Sequence, residues 1–199
     1  DFITFQGRID FESLSIDKYE TKLLATACYN YFTVADQPVC IDPYPTLQDK
    51  KVCQVGDIAL SSQGAPIAVT KIEEIAFGTK TQFRLTIKNV GKGEVIKPQA
   101  IDKCDPFGNS KIQREDLDRV KVEEIRIRDE LLECGPFSDN NAKSLTGEIR
   151  LINGEASLIC ELPRSYYEES STAFKTVLHI KLGYVYRSTA ERSLKIEKE

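Results

Sequence analysis

The chain has 199 residues, of which 41% are hydrophobic and 29% are charged, and its formal net charge is −4. This length and composition are typical of a folded protein that buries its core in one large β domain or two small ones. Because charges of both signs are interspersed, we expect no basic face that would bind nucleic acid or an anionic membrane surface. No apolar run approaches the roughly 18 residues of a membrane-spanning helix, so no transmembrane segment is predicted.

The first eleven residues (DFITFQGRIDF) place apolar side chains at alternate positions. In an extended strand, Ile3, Phe5, Ile9 and Phe11 share one side, and Gly7 occupies the middle of that row. We expect so apolar a row to be buried, either as the first strand of its own domain or in a groove of a neighbouring copy. The first alternative describes a monomeric module, and the second describes the subunit of a polymer.

Strand donation between copies is the mechanism that we favour for this segment. Alternate apolar side chains would enter pockets of the next subunit, and main-chain hydrogen bonds would supply affinity. A glycine in the row suits a close backbone approach, and such a head-to-tail contact builds open filaments. Residues 1–20 are therefore predicted to be an extended strand and linker, followed by a β-sandwich over 21–199. The predicted interface residues are Phe2, Ile3, Phe5, Gly7, Ile9 and Phe11.

The rest of the chain is dominated by short alternating segments that are bounded by turn residues. This spacing predicts an all-β protein, an immunoglobulin-like β-sandwich with an N-terminal extension strand and disulfide-bearing loops. Residues 36–51 carry three prolines and are predicted to form a loop, whereas Asn153-Gly154 predicts a two-residue hairpin turn. The predicted strands span residues 23–34, 58–63, 65–76, 81–90, 118–132 (with a bulge), 145–152, 156–162, 174–186 and 193–197.

Six cysteines are spread along the chain, and none lies within four residues of another. This pattern excludes a C-x-x-C zinc or redox motif and indicates three disulfides formed in an oxidising compartment. Buried free thiols, or the intracellular disulfides of a hyperthermophile, are the alternatives. The chain contains no methionine, which we interpret as removal of a signal peptide from an extracellular or cell-surface protein. The predicted pairs are Cys40–Cys53, Cys104–Cys134 and Cys28–Cys160.

The sequence carries no catalytic motif that we recognise. Its one histidine, His179, shares parity with Lys175 and Lys181 and is expected to face solvent, which leaves no Ser-His-Asp, Cys-His or ordinary zinc site. Neither a phosphate-binding glycine loop nor a nucleophile elbow occurs. Carboxylate pairs suited to glycoside hydrolysis would arise by chance among 31 acidic residues. We therefore predict that the protein is not an enzyme and has no cofactor.

Two loop features suit ligand binding without catalysis. Oxygen-bearing side chains beside Cys104 are a weak candidate for calcium, although turn formation explains them equally well. Tyrosines in predicted loops can stack on sugars or anchor a protein partner, although packing over their own loops is the alternative. The calcium candidates are Asp102, Asp105 and Asn109, and the tyrosines are Tyr44, Tyr166 and Tyr167.

Residues 83–95 (FRLTIKNVGKGEV) resemble the strand and turn of CARDB-type immunoglobulin-like domains, in which a strand ends in Asn-x-Gly. Residues 173–186 (AFKTVLHIKLGYVY) resemble the long penultimate strand of such a domain, and the resemblance covers about residues 65–198. The chain also resembles uncharacterised cell-surface proteins of archaea, through residues 28–34, 40–43 and 63–66. The resemblance implies an extracellular, non-enzymatic module.

Together these patterns predict a structural protein of the cell exterior that assembles into a filament or surface array through residues 2–11. The partner would be further copies of the same chain, joined head to tail. The alternative is a monomeric adhesion module that binds a glycan or another surface protein through its loop tyrosines. Removing the first eleven residues distinguishes the two, because only the polymer depends on them.

Overall fold

The structure is a computed structural model that describes residues 4, 6–7, 18–47, 50–105, 108–139 and 142–197. Of the predicted interface residues, Gly7 lies within these ranges. It is exposed, and a Cβ atom added to it would have no neighbouring atom within 4 Å. The close approach predicted for Gly7 is to another copy of the chain, and it stays a prediction. The interface residues outside the described ranges are Phe2, Ile3, Phe5, Ile9 and Phe11.

The regular secondary structure of the described residues is almost entirely β-strand, as predicted. Two short 3₁₀ helices, Pro98–Lys103 and Arg164–Tyr166, interrupt them, and within the described ranges no helix has the length and apolar composition needed to cross a membrane. The strands are β1 (Lys18–Ile41), β2 (Asp57–Ala59), β3 (Ile67–Ala76), β4 (Lys80–Asn89), β5 (Glu94–Ile96), β6 (Arg119–Ile127), β7 (Glu130–Leu131), β8 (Glu133–Gly135), β9 (Gly147–Arg150), β10 (Glu155–Pro163) and β11 (Phe174–Glu197).

The strands form two antiparallel sheets, so the predicted all-β sandwich is confirmed. The first sheet has the order β1-β11-β6-β7, with β5 also on β11 and β9 also on β6, and the second has the order β2-β3-β4-β10-β8. Alternation decides which side chains enter the core. In β4, for example, Phe83, Leu85 and Ile87 are completely buried, as their shared parity predicted.

The chain divides into two compact units, which we call the core unit (residues 28–188) and the ribbon unit (residues 1–27 and 189–199). Both β1 and β11 take part in the two units. Their segments Lys18–Ala27 and Thr189–Glu197 are the described strands of the ribbon unit, and we refer to this strand pair as the ribbon. The boundary between the units falls after Ala27 in β1 and before Thr189 in β11.

The strand with a bulge that was predicted over residues 118–132 is confirmed as far as Ile127, where β6 ends, but beyond it the chain turns back as β7, which pairs with β6. Lys181 of β11 pairs with Glu124, whereas the next residue, Leu182, pairs with Val122. Glu123 is thus the extra residue of a β-bulge, which restores the inward parity of the apolar residues on both sides of it.

The predicted hairpin at Asn153-Gly154 is correct as a turn but wrong as a pair of strands. Both residues have positive φ angles, 53° and 80°, as a two-residue turn of this kind requires. The strand before the turn, β9, pairs with β6 in the first sheet, whereas β10 pairs with β4 and β8 in the second. A single bridge between Ile152 and Glu155 joins the two sides, and the chain changes sheets at this turn.

The two longest strands extend beyond their predicted limits. β1 continues through Pro38 to Ile41, where a loop was predicted, and β11 continues without a break from Phe174 to Glu197. Proline is tolerated in an edge strand because its missing N–H needs no partner on the outer side. Since β1 is the edge strand among the described residues of its sheet, Pro38 did not have to end it.

All six cysteines form disulfides, so the prediction of three disulfides is confirmed. The pair Cys40–Cys53 was predicted correctly, but Cys104–Cys134 and Cys28–Cys160 are wrong. Cys134 and Cys160 lie directly opposite each other in β8 and β10, with Cα atoms 4.0 Å apart. Strand register, which spacing along the sequence does not reveal, brings these two together. The observed pairs are Cys28–Cys104, Cys40–Cys53 and Cys134–Cys160.

Candidate functional site

The ribbon is the surface with the clearest separation of apolar and charged side chains. Its two strands share a face on which the hydroxyl groups of Thr26 and Thr189 lie 3.2 Å apart, and Lys22 forms an ion pair of 2.5 Å with Glu191. Because side chains of a strand alternate between faces, these contacts place even-numbered residues of β1 and odd-numbered residues of β11 together. The faces of the ribbon can therefore be assigned residue by residue.

One face of the ribbon is charged. Ion pairs join Lys18 to Glu20 within one strand and Lys195 to Glu197 within the other, in addition to the pair between the strands. All of these side chains are exposed, so each pair contributes little to stability on its own. Leu24, 62% exposed, is the one large apolar residue among the described residues of this face.

The other face of the ribbon is apolar. Leu23 is 61% exposed, and Tyr19 and Leu194 are each about two-fifths exposed. No described residue of the ribbon is buried. A two-stranded ribbon is marginally stable in water by itself, and a cluster of apolar side chains in solvent marks a contact surface. The apolar face comprises Tyr19, Leu23, Ala25, Ala27, Ala190, Leu194 and Ile196, together with Thr21 and Arg192.

The outer edge of the ribbon is also open. β11 pairs with one side of β1, and among the described residues no strand pairs with its other side. In the core unit, part of the same edge is closed by a side chain, because Glu74 Oε2 accepts the Cys40 N–H at 3.1 Å. An unpaired edge offers a row of main-chain donors and acceptors to another strand.

Glu74 has a buried carboxyl group whose pKa is strongly shifted, and one of its two oxygen atoms lacks a hydrogen-bond partner among the described residues. The side chain is 4% exposed, and its Oε1 has no hydrogen-bond partner among the described residues. Burial raises the pKa of Glu74 to about 7, because the single hydrogen bond from Cys40 offsets only part of the cost of burying the charge. The group accordingly gains or loses a proton near neutral pH.

The predicted tyrosine platform is not assembled as expected. Tyr167 is buried and its hydroxyl accepts a hydrogen bond from Thr81 at 3.3 Å, so its prediction as an exposed ligand contact is wrong. It was placed in a polar loop, but its ring packs into the core from the end of a 3₁₀ helix. Tyr44 and Tyr166 are exposed as predicted. The guanidinium of Arg164 lies 5.0 Å from the centre of the Tyr44 ring, which suits a cation–π contact.

Tyr166 lines a recess of about 260 Å³ together with Ile127, Arg128 and Phe174. A hydrogen bond to Glu130 raises the pKa of the Tyr166 hydroxyl. The lining of the recess also includes the charged residues Asp129 and Glu130, so the recess combines apolar and charged side chains.

The weak calcium candidates lie in a short helix and in the loop that follows it. Asp102 belongs to the 3₁₀ helix Pro98–Lys103, and the carbonyl of Asp105 accepts the Gly108 N–H in a turn. Asn109 follows in the same loop. Nowhere in the described ranges do three or more His, Cys, Asp or Glu side chains gather closely enough to hold a metal ion. His179 lies on the outer side of β11, with its Nδ1 2.6 Å from Asp36 Oδ1.

Comparisons with protein-family models, with curated proteins and with solved structures find no match to this chain. The CARDB-type resemblance therefore remains an expectation that rests on the residues quoted for it.

Sequence reasoning missed the ribbon, although a signal for it was present. Residues 18–27 (KYETKLLATA) alternate charged and uncharged side chains up to Leu23, but the predicted linker extended to residue 20 and the next predicted strand began at residue 23. The alternation of Lys18, Glu20 and Lys22 is the period-two signal that indicates a strand with one charged face.

Proposed function

We propose that this chain is a non-enzymatic structural protein of the cell exterior, the subunit of a filament or surface array that is assembled by strand donation through residues 2–11. The observation that carries the proposal is the N-terminal row of Ile3, Phe5, Ile9 and Phe11. Burying these four side chains is worth about 6–12 kcal/mol before the cost of ordering the segment. A second copy of the chain supplies both the apolar contact and the main-chain ladder.

The core unit has a cluster of buried apolar side chains and three disulfides. The described residues of the main core cluster all lie between Ala35 and Tyr186. Three disulfides support the extracellular location, since such bonds persist mainly in oxidising compartments.

The proposal is tested by placing charge in the N-terminal row of the full chain. Phe5→Asp/Ile9→Asp is expected to abolish polymers, because two carboxylates cannot enter an apolar contact without a large desolvation cost. Thr4→Asp/Gln6→Asp is the matched control, since it adds the same two charges to the opposite row and is expected to leave assembly intact. Light scattering and electron microscopy provide the measurement.

Two results would contradict strand donation. One is a wild-type chain that stays monomeric at every concentration. The other is equal polymer formation by both variant pairs, which would show that the row plays no part in assembly.

The second candidate function is a monomeric adhesion module, which is favoured by the exposed rings of Tyr44 and Tyr166. Such a module would bind a glycan or a surface protein without changing its oligomeric state. Tyr44→Ala and Tyr166→Ala would then weaken binding on a glycan array, whereas the Asp substitutions at Phe5 and Ile9 would not. Unchanged array binding in both alanine variants would remove this candidate.

A further inference from the structure

We infer that the ribbon is the acceptor for the donated strand: residues 3–11 of one copy pair with the open edge of β1 over residues 19–27 of the next, next to its apolar face. This inference rests on the proposed function and identifies the surface that accepts the donated strand. It is carried by the amphipathic faces of the ribbon, its unpaired edge and its exposed leucines.

The apolar rows of donor and acceptor have the same length. Residues 3–11 and residues 19–27 each provide five alternate positions, which span about 27 Å in an extended strand. The middle position is Gly7 in the donor and Leu23 in the acceptor, so the two face each other whether the strands run parallel or antiparallel. The absence of a side chain at Gly7 leaves room for the most exposed leucine of the apolar face.

The flanking positions are complementary in size as well. In an antiparallel alignment centred on Gly7 and Leu23, Phe5 lies opposite Ala25, and Ile9 lies opposite Thr21. Directly opposed residues have Cβ atoms about 5 Å apart, so a large side chain is best accommodated beside a small one. The two large residues next to the centre of the donor row thus meet the smaller residues of the acceptor.

The face of the ribbon is too small for two copies to associate face to face through it alone. One face measures about 30 Å by 10 Å from the rise per residue and the strand spacing. Two such faces in contact would bury about 600 Å² in total, which is below the roughly 1,200 Å² of a stable interface. A donated strand adds a ladder of main-chain hydrogen bonds to its side-chain contacts and uses the edge that two packed faces would leave open.

Leu23 and Leu24 provide a matched test of this surface in the full chain. They are the same residue type, adjacent, and 61% and 62% exposed, but they lie on opposite faces. Leu23→Lys is expected to raise the critical concentration for polymer formation by at least about tenfold, whereas Leu24→Lys leaves it within about twofold. Equal melting temperatures of the two variants would show that both remain folded.

Mixing full-length variants tests the head-to-tail geometry. Leu23→Lys retains an intact donor, and Phe5→Asp/Ile9→Asp retains an intact acceptor. Neither is expected to polymerise alone, but together they should form a 1:1 complex that cannot grow, which analytical ultracentrifugation detects. If the mixture remains monomeric, the ribbon is not the acceptor.

Cysteine cross-linking fixes the register and distinguishes partners. A chain with Gly7→Cys/Leu23→Cys is expected to give a ladder of disulfide-linked oligomers on a non-reducing gel, and Gly7→Cys/Leu24→Cys is expected to give none. A cross-link within one chain would show that the segment folds back on its own ribbon, which overturns the inference.

The two proposals fail in different ways. If Leu23→Lys polymerises like the wild type while Phe5→Asp/Ile9→Asp does not, strand donation stands and the ribbon is not its acceptor. If the wild type does not polymerise, strand donation fails, and the ribbon inference fails with it.

Discussion

Two buried carboxyl groups of the core unit have opposite protonation behaviour because they have different partners. Burial alone would raise the pKa of Asp116, but hydrogen bonds from Lys97, the Gln113 N–H and Lys103 outweigh it and hold the pKa well below its ordinary value. Glu74 has a single main-chain donor, so burial dominates. The number of donors, rather than the depth of burial, decides which carboxylate remains charged.

Glu74→Gln is expected to change the pH dependence of stability. The pKa of Glu74 is about 7 in the folded protein and near its ordinary 4.5 in the unfolded chain. Its contribution is therefore fully present below pH 4.5 and is lost as the pH rises through 7. The difference corresponds to about 3 kcal/mol, so the variant should be more stable than the wild type at pH 8 and lack this decline.

Urea unfolding at pH 5, 6, 7 and 8 provides the measurement. Glu73→Gln is the matched control, because the neighbouring side chain points away from the core and pairs with Lys71 and Arg84. That variant should retain the decline in stability between pH 5 and pH 8. If the stability of Glu74→Gln falls between pH 5 and pH 8 as steeply as that of the wild type, Glu74 is not the group responsible for the decline.

At the scale of single residues, the sequence predicted which side of a strand a residue occupies, but not which other residue its side chain contacts. The parity of β11 correctly placed His179 on the outer side. The same reasoning could not assign Tyr167, because it follows a 3₁₀ helix and no alternation extends into that segment. Likewise, Asp116 pairs with Lys97, which precedes a 3₁₀ helix, and with Lys103, which ends that helix, and no spacing rule connects either lysine to Asp116.

At the scale of elements, the disulfides differ in the chain length that they close. Cys28–Cys104 spans a separation of 76 residues, whereas Cys40–Cys53 spans 13. In the chain-entropy model these loops are worth about 4.5 and about 3 kcal/mol. Cys28→Ala/Cys104→Ala is therefore expected to lower the melting temperature by roughly 3–6 °C more than Cys40→Ala/Cys53→Ala.

Differential scanning calorimetry measures both variants, and peptide mapping under non-reducing conditions confirms that the remaining pairs are native. The comparison is balanced because each pair includes at least one buried cysteine. A larger loss for Cys40→Ala/Cys53→Ala would show that local strain or packing, rather than loop closure, governs these bonds.

Elements with a strong local signal were predicted well, whereas pairing between them was not. The bulge in β6 follows from a shift in apolar parity around Glu123, and parity is visible in the sequence. The strands beside Asn153-Gly154 share a turn but belong to different sheets, because β9 continues a ladder with β6. A turn signal fixes the direction of the chain, but distant strands decide which sheet each side joins.

At the scale of the whole molecule, the two units bury very different amounts of their side chains. The core unit contains the described core clusters, whereas no described residue of the ribbon is buried. Their strands β1 and β11 are continuous between units, so regular hydrogen bonding alone does not distinguish them. Local stability follows from buried apolar contacts, and exposed strand pairs open more readily. The ribbon is therefore the part of the chain whose stability an assembly contact would change most.

Hydrogen exchange should reveal this difference. In the monomeric Phe5→Asp/Ile9→Asp variant, amides of residues 19–27 are expected to exchange much faster than those of β4 and β10. In wild-type polymers the ribbon amides should slow by at least about tenfold, because a donated strand would pair the open edge of β1. The β4 and β10 amides serve as the internal control, since their pairing lies within the core unit. Ribbon amides that exchange equally slowly in monomer and polymer would show that the ribbon is already covered within its own chain.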